Sequence, residues 1–378
     1  MCRSTARWRI STNNPVRRFC FPVLLCLSLI SASGRAQEAA KNVRWIDSVA
    51  IDFFISSGYS YNVNDPASGK NLYHVFDVDD NTFKVDVLEL AIRRDAAGTG
   101  DAGFRIDLTA GSEVPRVTQS SGLTFGDLDF HQMYLSYVAP GGIRIDLGKF
   151  VTAMGYEVID GYDGYNDNYT RSFLFGYAIP FTHTGIRASG KFNDVFSALL
   201  MVVNGWDNAV DNNMSKSVCE QLTVTPGSGA SIALTHMWGP EKAGNDADYR
   251  NSFDVAGAWT AVEALTIGFN GDYSAEDHSA PGNGTGRWYG TAGYLRIVPA
   301  PGLSVNLRAE QFEDRQGLRT GVAQKLREVT VTPAYQLSPH VVVRGDYRID
   351  TSDKRVFERD NGWSDRQTTI SVDVVAVF

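Results

Sequence analysis

The sequence predicts an all-β fold: a transmembrane antiparallel β-barrel of about sixteen strands, with short turns at one rim and long loops at the other. Three observations lead there. Apolar and polar residues alternate with a period of two along most of the chain, short and long connections alternate in strict order, and the first 36 residues have the pattern of an export signal.

The N-terminal element is read first. Residues 1–36 carry Arg3, Arg7, Arg9, Arg17, Arg18 and Arg35 and no acidic residue; an apolar run, "FCFPVLLCLSLI", spans Phe19 to Ile30, and "SASGRA" places small residues at Gly34 and Ala36. This predicts a secretory signal peptide cut after Ala36. Twelve apolar residues are too few for a spanning helix, which needs about 20. Residues 37–48 would be a short periplasmic lead, too brief for a plug domain, and 49–378 a single barrel domain.

Loss of the signal leaves 29 Lys+Arg against 43 Asp+Glu, a net charge of −14, so nucleic acid is not an expected partner. Cys2, Cys20 and Cys26 leave with it. Cys219 alone remains and an internal disulfide is excluded. No later apolar stretch reaches the length of a spanning helix, so any membrane crossing is by strands.

The strands follow. "GFRIDLTAG" sets Phe104, Ile106, Leu108 and Ala110 against Arg105, Asp107 and Thr109, and "GIRIDLGKF" sets Ile143, Ile145 and Leu147 against Arg144, Asp146 and Gly148. "LTIGFNGDYS", "LSVNLRAEQF" and "VVVRGDYRID" repeat the phase. "FKVDVLELAI" departs from it, its apolar phase shifting between Val87 and Leu88. Short connections fall at 95–101, 139–141, 191–194, 226–229, 260–263, 299–302 and 338–339. Long polar loops fall near 62–82, 112–127, 151–181, 205–216, 240–249, 275–286, 315–323 and 351–366. Eight long loops and seven short turns make fifteen hairpins and sixteen strands. A soluble sandwich has no reason to alternate its connections in this way, whereas an outer-membrane barrel does. The last segment, "QTTISVDVVAVF", places Ile370, Val372, Val374, Ala376 and Phe378 on one face and Ser371 and Asp373 on the other, as a strand that closes the ring against "VAIDFFISSGYSY".

"GKFVTAMGYE" (148–157), "FTHTGIRASG" (181–190), "VNGWDNAVDNN" (203–213) and the terminal aromatic give the chain a resemblance to the OmpL-like outer-membrane beta-barrel porins of Gram-negative bacteria, over essentially everything after the signal. The resemblance implies a porin-type pore in the outer membrane without naming a solute. It also implies that the last strand, ending in Phe378, is the signal read by the barrel assembly machinery.

Sixteen strands leave an aqueous interior where eight would be filled by side chains. The expected pore wall carries both signs: Arg105, Asp107, Arg144, Asp146, Arg187, Asn306, Arg308, Glu310, Arg344, Asp346, Arg348 and Asp350. Many of these are expected to pair across neighbouring strands. The loop from Val151 to Phe181 is the longest and richest in tyrosine, and carries Glu157, Asp160, Asp163 and Asp167 around Arg171. Folded into the lumen, it would form a constriction whose acids face basic wall residues; left outside, it would cap the mouth or bind lipopolysaccharide through cations. "SFLFGYAIPF" (172–181) is too apolar for free solvent, and either begins the sixth strand or packs inside the barrel.

No catalytic residue, metal set or cofactor is expected. The six histidines, His74, His131, His183, His236, His278 and His340, stand singly, with no helical metal-pair spacing. Expected partners are outer-membrane lipid and lipopolysaccharide, the assembly machinery and solutes in transit. The solute, the sign of selectivity and the association of three barrels stay open. A structural or adhesive barrel, a barrel enzyme and a secreted β-protein are the competing readings.

Overall fold

The computed structural model describes residues 45–114, 124–125, 128–227 and 229–378. The signal segment and its three cysteines lie outside the described residues, as does part of the second long loop. Sixteen strands form one closed antiparallel ring. They are β1 (Ala50–Asn62), β2 (Thr82–Arg94), β3 (Ala102–Ala110), β4 (Leu128–Val138), β5 (Arg144–Val151), β6 (Thr182–Lys191), β7 (Phe196–Val203) and β8 (Ser217–Gly227), then β9 (Ala230–Pro240), β10 (Tyr249–Val262), β11 (Leu265–Ala280), β12 (Gly284–Ala300), β13 (Leu303–Asp314), β14 (Gln324–Ser338), β15 (Val341–Ser352) and β16 (Arg366–Val377). Each pairs with its sequence neighbours, and β16 returns to β1 in the register Tyr61↔Ile370 to Phe54↔Val377. The main-chain N–H groups of Phe53 and Phe378 each donate to the other's carbonyl at 2.9 Å. The ring therefore has no open edge to leave unpaired in lipid.

Among the described residues the connections fall where the sequence places them, with one exception: the loop expected at 275–286 shrinks to Pro281–Asn283 because both flanking strands, β11 and β12, run beyond the expected rim. Two short pairings lie inside long loops: Thr124–Phe125 against the start of β4, and a hairpin of Phe357–Arg359 with Gly362–Ser364. The period of two decides the faces. On β16, Ile370, Val372 and Val374 are exposed, while Ser371 and Asp373 are buried. Outward aromatic contacts mark both rims: Tyr59 with Phe83, Trp238 with Tyr249 and Tyr273 with Tyr289 toward the loops, and Phe378 stacked on His340 at the turns. These are the girdles of a membrane-spanning barrel.

The irregular phase of β2 is a β-bulge. Ser56 pairs with Val87 and Ser57 with Val85, so Asp86 is the extra residue and both Asp86 and Val87 turn inward. β4 has the same device. Asp107 pairs with Gln132 and Leu108 with Phe130, which turns both His131 and Gln132 inward. Such bulges re-aim side chains where a wall carries function.

Candidate functional site: a loop held inside the barrel

Loop 3 (152–181) lies in the lumen, and its carboxylates each meet a cation. Glu157 accepts from Arg308 of β13 at 2.7 Å, Asp160 from Arg171 at 2.8 Å and Arg344 of β15 at 3.5 Å, and Asp163 from Arg105 of β3 at 2.5 Å. Asp167 pairs with Arg296 of β12. The wall answers with acids that accept from the loop backbone. Asp346 takes the N–H of Tyr169 and Thr170, and Glu310 takes those of Phe173 and Leu174 at 2.5 and 3.0 Å. Arg308 and Arg344 also donate to the carbonyls of Thr170, Asn166 and Asn168. Buried guanidiniums are tolerable here because each finds both a carboxylate and carbonyl oxygens. Tyr169 reaches β2, its hydroxyl 3.2 Å from both oxygens of Asp86. Its ring lies over Gly58 of β1, where a Cβ would stand 2.6 Å from that hydroxyl.

The apolar end of the loop, Ser172 to Phe181, packs inside the barrel. Residues Leu174–Ala178 make one π-helical turn, and Phe173, Leu174, Phe175, Ala178 and Ile179 are buried with Trp288 and Phe312 of the wall. The Trp288 indole donates to the Ala178 carbonyl at 3.2 Å. Loop 1 (63–81) closes over this cluster. Phe76 stacks on Phe175 and meets Phe181 edge-on. Its neighbour His74 is clamped between Asp77 at 2.7 Å and Asp350 of β15 at 2.8 Å, with Gln367 of β16 at 3.3 Å. Burial and the Arg348 guanidinium oppose a charge on this imidazole, but Asp77 and Asp350 outweigh them and hold it above its usual value. Arg171 is held above its ordinary value in the same way: burial opposes its charge, and Asp160 and Glu113 outweigh it.

The residues expected along the wall all face inward, in different surroundings. Arg308, Glu310, Arg344, Asp346, Arg348 and Asp350 are buried against the loops, Arg348 bonding Asp350 at 2.7 Å and the Arg171 carbonyl at 2.5 Å. Asn306 donates to the Asp167 carbonyl at 3.0 Å. Arg105 also bonds Asp107 at 2.8 Å. Arg144, Asp146 and Arg187 form a separate group near the turn rim, both arginines within 2.8 Å of Asp146. The expected transverse field is thus taken up in contact pairs, and no acid of the loop faces an arginine across open water. Sequence reasoning missed Arg296, Glu328, Asp86 and Glu89; the irregular phase of β2 was the available signal for the last two.

Cavities of about 200 Å³ each remain between loop 3 and β12–β15, and one of about 180 Å³ between loop 3 and β2–β5. A larger concavity, about 900 Å³, is on the outer wall among Ala188, Leu200, Leu222, Leu234 and Val255, which face away from the lumen. Among the described residues no group of three or more His, Cys, Asp or Glu could hold a metal ion.

Residues 48–378 match the family model described as "Putative beta-barrel porin-2, OmpL-like". Solved structures share the fold at low identity. The outer membrane channel DcaP of Acinetobacter baumannii has a TM-score of 0.62 at 10% identity, over 87% of this chain and 97% of that one. An anion-selective porin from Comamonas acidovorans gives 0.59 at 12%, over 88% and 99%. OmpT of Vibrio cholerae, in a trimer form, gives 0.58 at 11%, over 87% and 99%. Among curated protein sequences none is significantly similar.

Proposed function

The chain belongs to the OmpL-like beta-barrel porin family, and from that membership, which makes it an outer-membrane porin channel, we propose that it lets small hydrophilic solutes and ions diffuse passively. The observation that carries this reading is a closed sixteen-strand ring, wide enough for an aqueous lumen, whose inward side chains are mostly polar and charged outside the apolar cluster around Trp288 and Phe312. Loop 3 is the constriction: it narrows that lumen to cavities of about 180–210 Å³ and sets the size limit. The wall residues Arg105, Asp107, Arg308, Glu310, Arg344, Asp346 and Arg348 act mainly by holding the loop, and Arg144, Asp146 and Arg187 line the turn-side vestibule.

We further propose that the protein is a channel without enzymatic activity. His74 is fixed between two carboxylates, and His183 between the Gly205 carbonyl at 3.0 Å and the Thr152 hydroxyl at 3.2 Å, arrangements suited to tethering. Residues 1–36 act as a cleaved signal, and the barrel assembly machinery reads the β16 strand. Three barrels associate, a reading supported by the trimer form of OmpT, and this chain's surroundings are lipid and lipopolysaccharide. Single-channel recording of the refolded protein tests the central claim. Steady conductance steps are expected; a bilayer that stays sealed at high protein would refute the channel.

A further inference from the structure

A barrel with one loop across its lumen leaves solutes a choice of sides. On the β12–β15 side loop 3 is fastened to the wall by Arg308, Arg344, Asp346 and Glu310, all at most 6% exposed. Toward the loop rim that side is filled by apolar residues, Phe76 with Phe173, Phe175, Trp288, Phe312 and Phe357. The wall side chains of the other side are as deeply buried, Glu89 at 2% and Gln132 at 4%, and the two sides differ in the reach of their cavities. The cavity between loop 3 and the wall runs from Thr152, beside the loop rim, to Arg105, near the start of β3 at the turn rim. The bulges at Asp86 and at His131 lie on strands of this wall, and each turns a pair of consecutive side chains inward.

We infer that solutes cross between loop 3 and the β2–β4 wall, not along the arginines of β13 and β15, and that this passage favours small organic cations with a compact apolar body. The inference rests on the porin reading and deepens it. The lining has two faces. Met154, Val158, Ile159 and Phe175 of loop 3 form an apolar bed. Against them stand Glu89 of the wall, Asp163 of the loop itself and Arg105, the one Lys or Arg of the lining, with Gln132 adding an amide; Asp107 bonds Arg105 from behind the lining at 2.8 Å, and Glu157 and Asp160, which also border the cavity, are held by Arg308 and Arg171. Asp163 is the accessible group, its side chain 61% exposed where that of Arg105 is 10%. Three carboxylates against one guanidinium leave a negative excess that attracts cations in a narrow, low-dielectric space. At about 180 Å³ the cavity holds roughly six water volumes, which limits the solute to a small one.

The test uses the mature protein refolded with Cys219→Ser, to remove its only thiol. Cysteines are placed at Gln132 and Asp163 on the inferred passage, and at Asn306 beside the opposite cavities. A bulky cationic thiosulfonate reagent should cut single-channel conductance at least twofold at 132 and 163, and change it little at 306. Block at 306 alone, or at none of the three while the channel still conducts, would overturn the route. An unlabelled barrel that does not conduct at all refutes the porin reading instead. For the solute class, reversal potentials of the unmodified channel in ethylammonium chloride gradients should show cations preferred several-fold. Glu89→Gln with Asp163→Asn should abolish that preference, and equal or greater anion permeability in the unmodified channel would overturn it.

Discussion

Nη1 of Arg308 lies 2.7 Å from Oε1 of Glu157, joining the middle of β13 to the start of loop 3 across 151 residues of sequence. Arg308 also bonds Glu328 at 2.6 Å, and Glu157 accepts the Ser172 N–H at 2.8 Å, so the two arms of the loop and two wall strands meet at one buried node.

Glu157→Gln should therefore loosen the loop without unfolding the barrel. One charge-assisted hydrogen bond is lost while Arg308 keeps Glu328, a cost of about 2 kcal/mol to docking. Limited proteolysis of the refolded protein should cut within 152–181 about tenfold faster or more, with unchanged strand content by circular dichroism. Replacing both partners by apolar residues, Glu157→Leu with Arg308→Met, should not restore the protection, because Glu328 then loses its 2.6 Å partner and is left buried with Arg348 at 4.0 Å.

Deleting residues 157–171 removes Glu157, Asp160, Asp163, Asp167 and Arg171 together, and uncovers Arg308 and Arg344, now 1% exposed each. Conductance should rise several-fold and selectivity should move toward anions, since the guanidiniums lose their loop carboxylates and face the solute. Unchanged conductance would remove loop 3 from the constriction.

How much of this was legible in sequence depends on the range of the interaction. Strand faces and turns follow from neighbouring residues, such as the alternation in "GIRIDLGKF" or the residues of "PGSG", and they were placed closely. The bulge at Asp86 showed only as a phase slip, read one residue late, because a bulge is defined by the partner strand β1 as much as by β2. The partners of loop 3 were not legible at all. Asp167 to Arg296 and Tyr169 to Asp86 join residues about 130 and 83 apart, and only the closed barrel brings them together. The apolar "SFLFGYAIPF" was readable as buried, and its alternatives were decided by Trp288 and Phe312 waiting in the lumen.

Loop 1 should open as pH rises. His74 has a folded-state value above 6.5 because Asp77 and Asp350 outweigh burial, so folding favours its protonated form. The stabilisation is complete below about 6.5, the unfolded value, and is lost as pH climbs through the raised folded value. Asp77, held against the opposing effect of burial well below the usual carboxylate range by His74, stays charged over that range, so the imidazole is the group of the pair that changes. Hydrogen exchange at 71–78 should accelerate from neutral to alkaline pH, and His74→Gln should exchange fast at every pH with the slope removed. A slope that survives in His74→Gln would assign it to another group.

The last strand gives the remaining prediction. Phe378 is 59% exposed, so its ring contributes little to the barrel's own packing. Its main chain exchanges two hydrogen bonds with Phe53, and its ring stacks on His340 at 5.5 Å where β16 meets the turn rim. Phe378→Ala keeps the main-chain bonds and removes only the aromatic face. A ring that mattered to the finished barrel would show in thermal stability and conductance, and both should change little. A ring that is read during insertion shows in yield, and the membrane-inserted fraction in cells should fall several-fold. Equal losses in cells and in refolding with detergent would mean that the ring acts through stability, and that the terminal strand is not read as a signal.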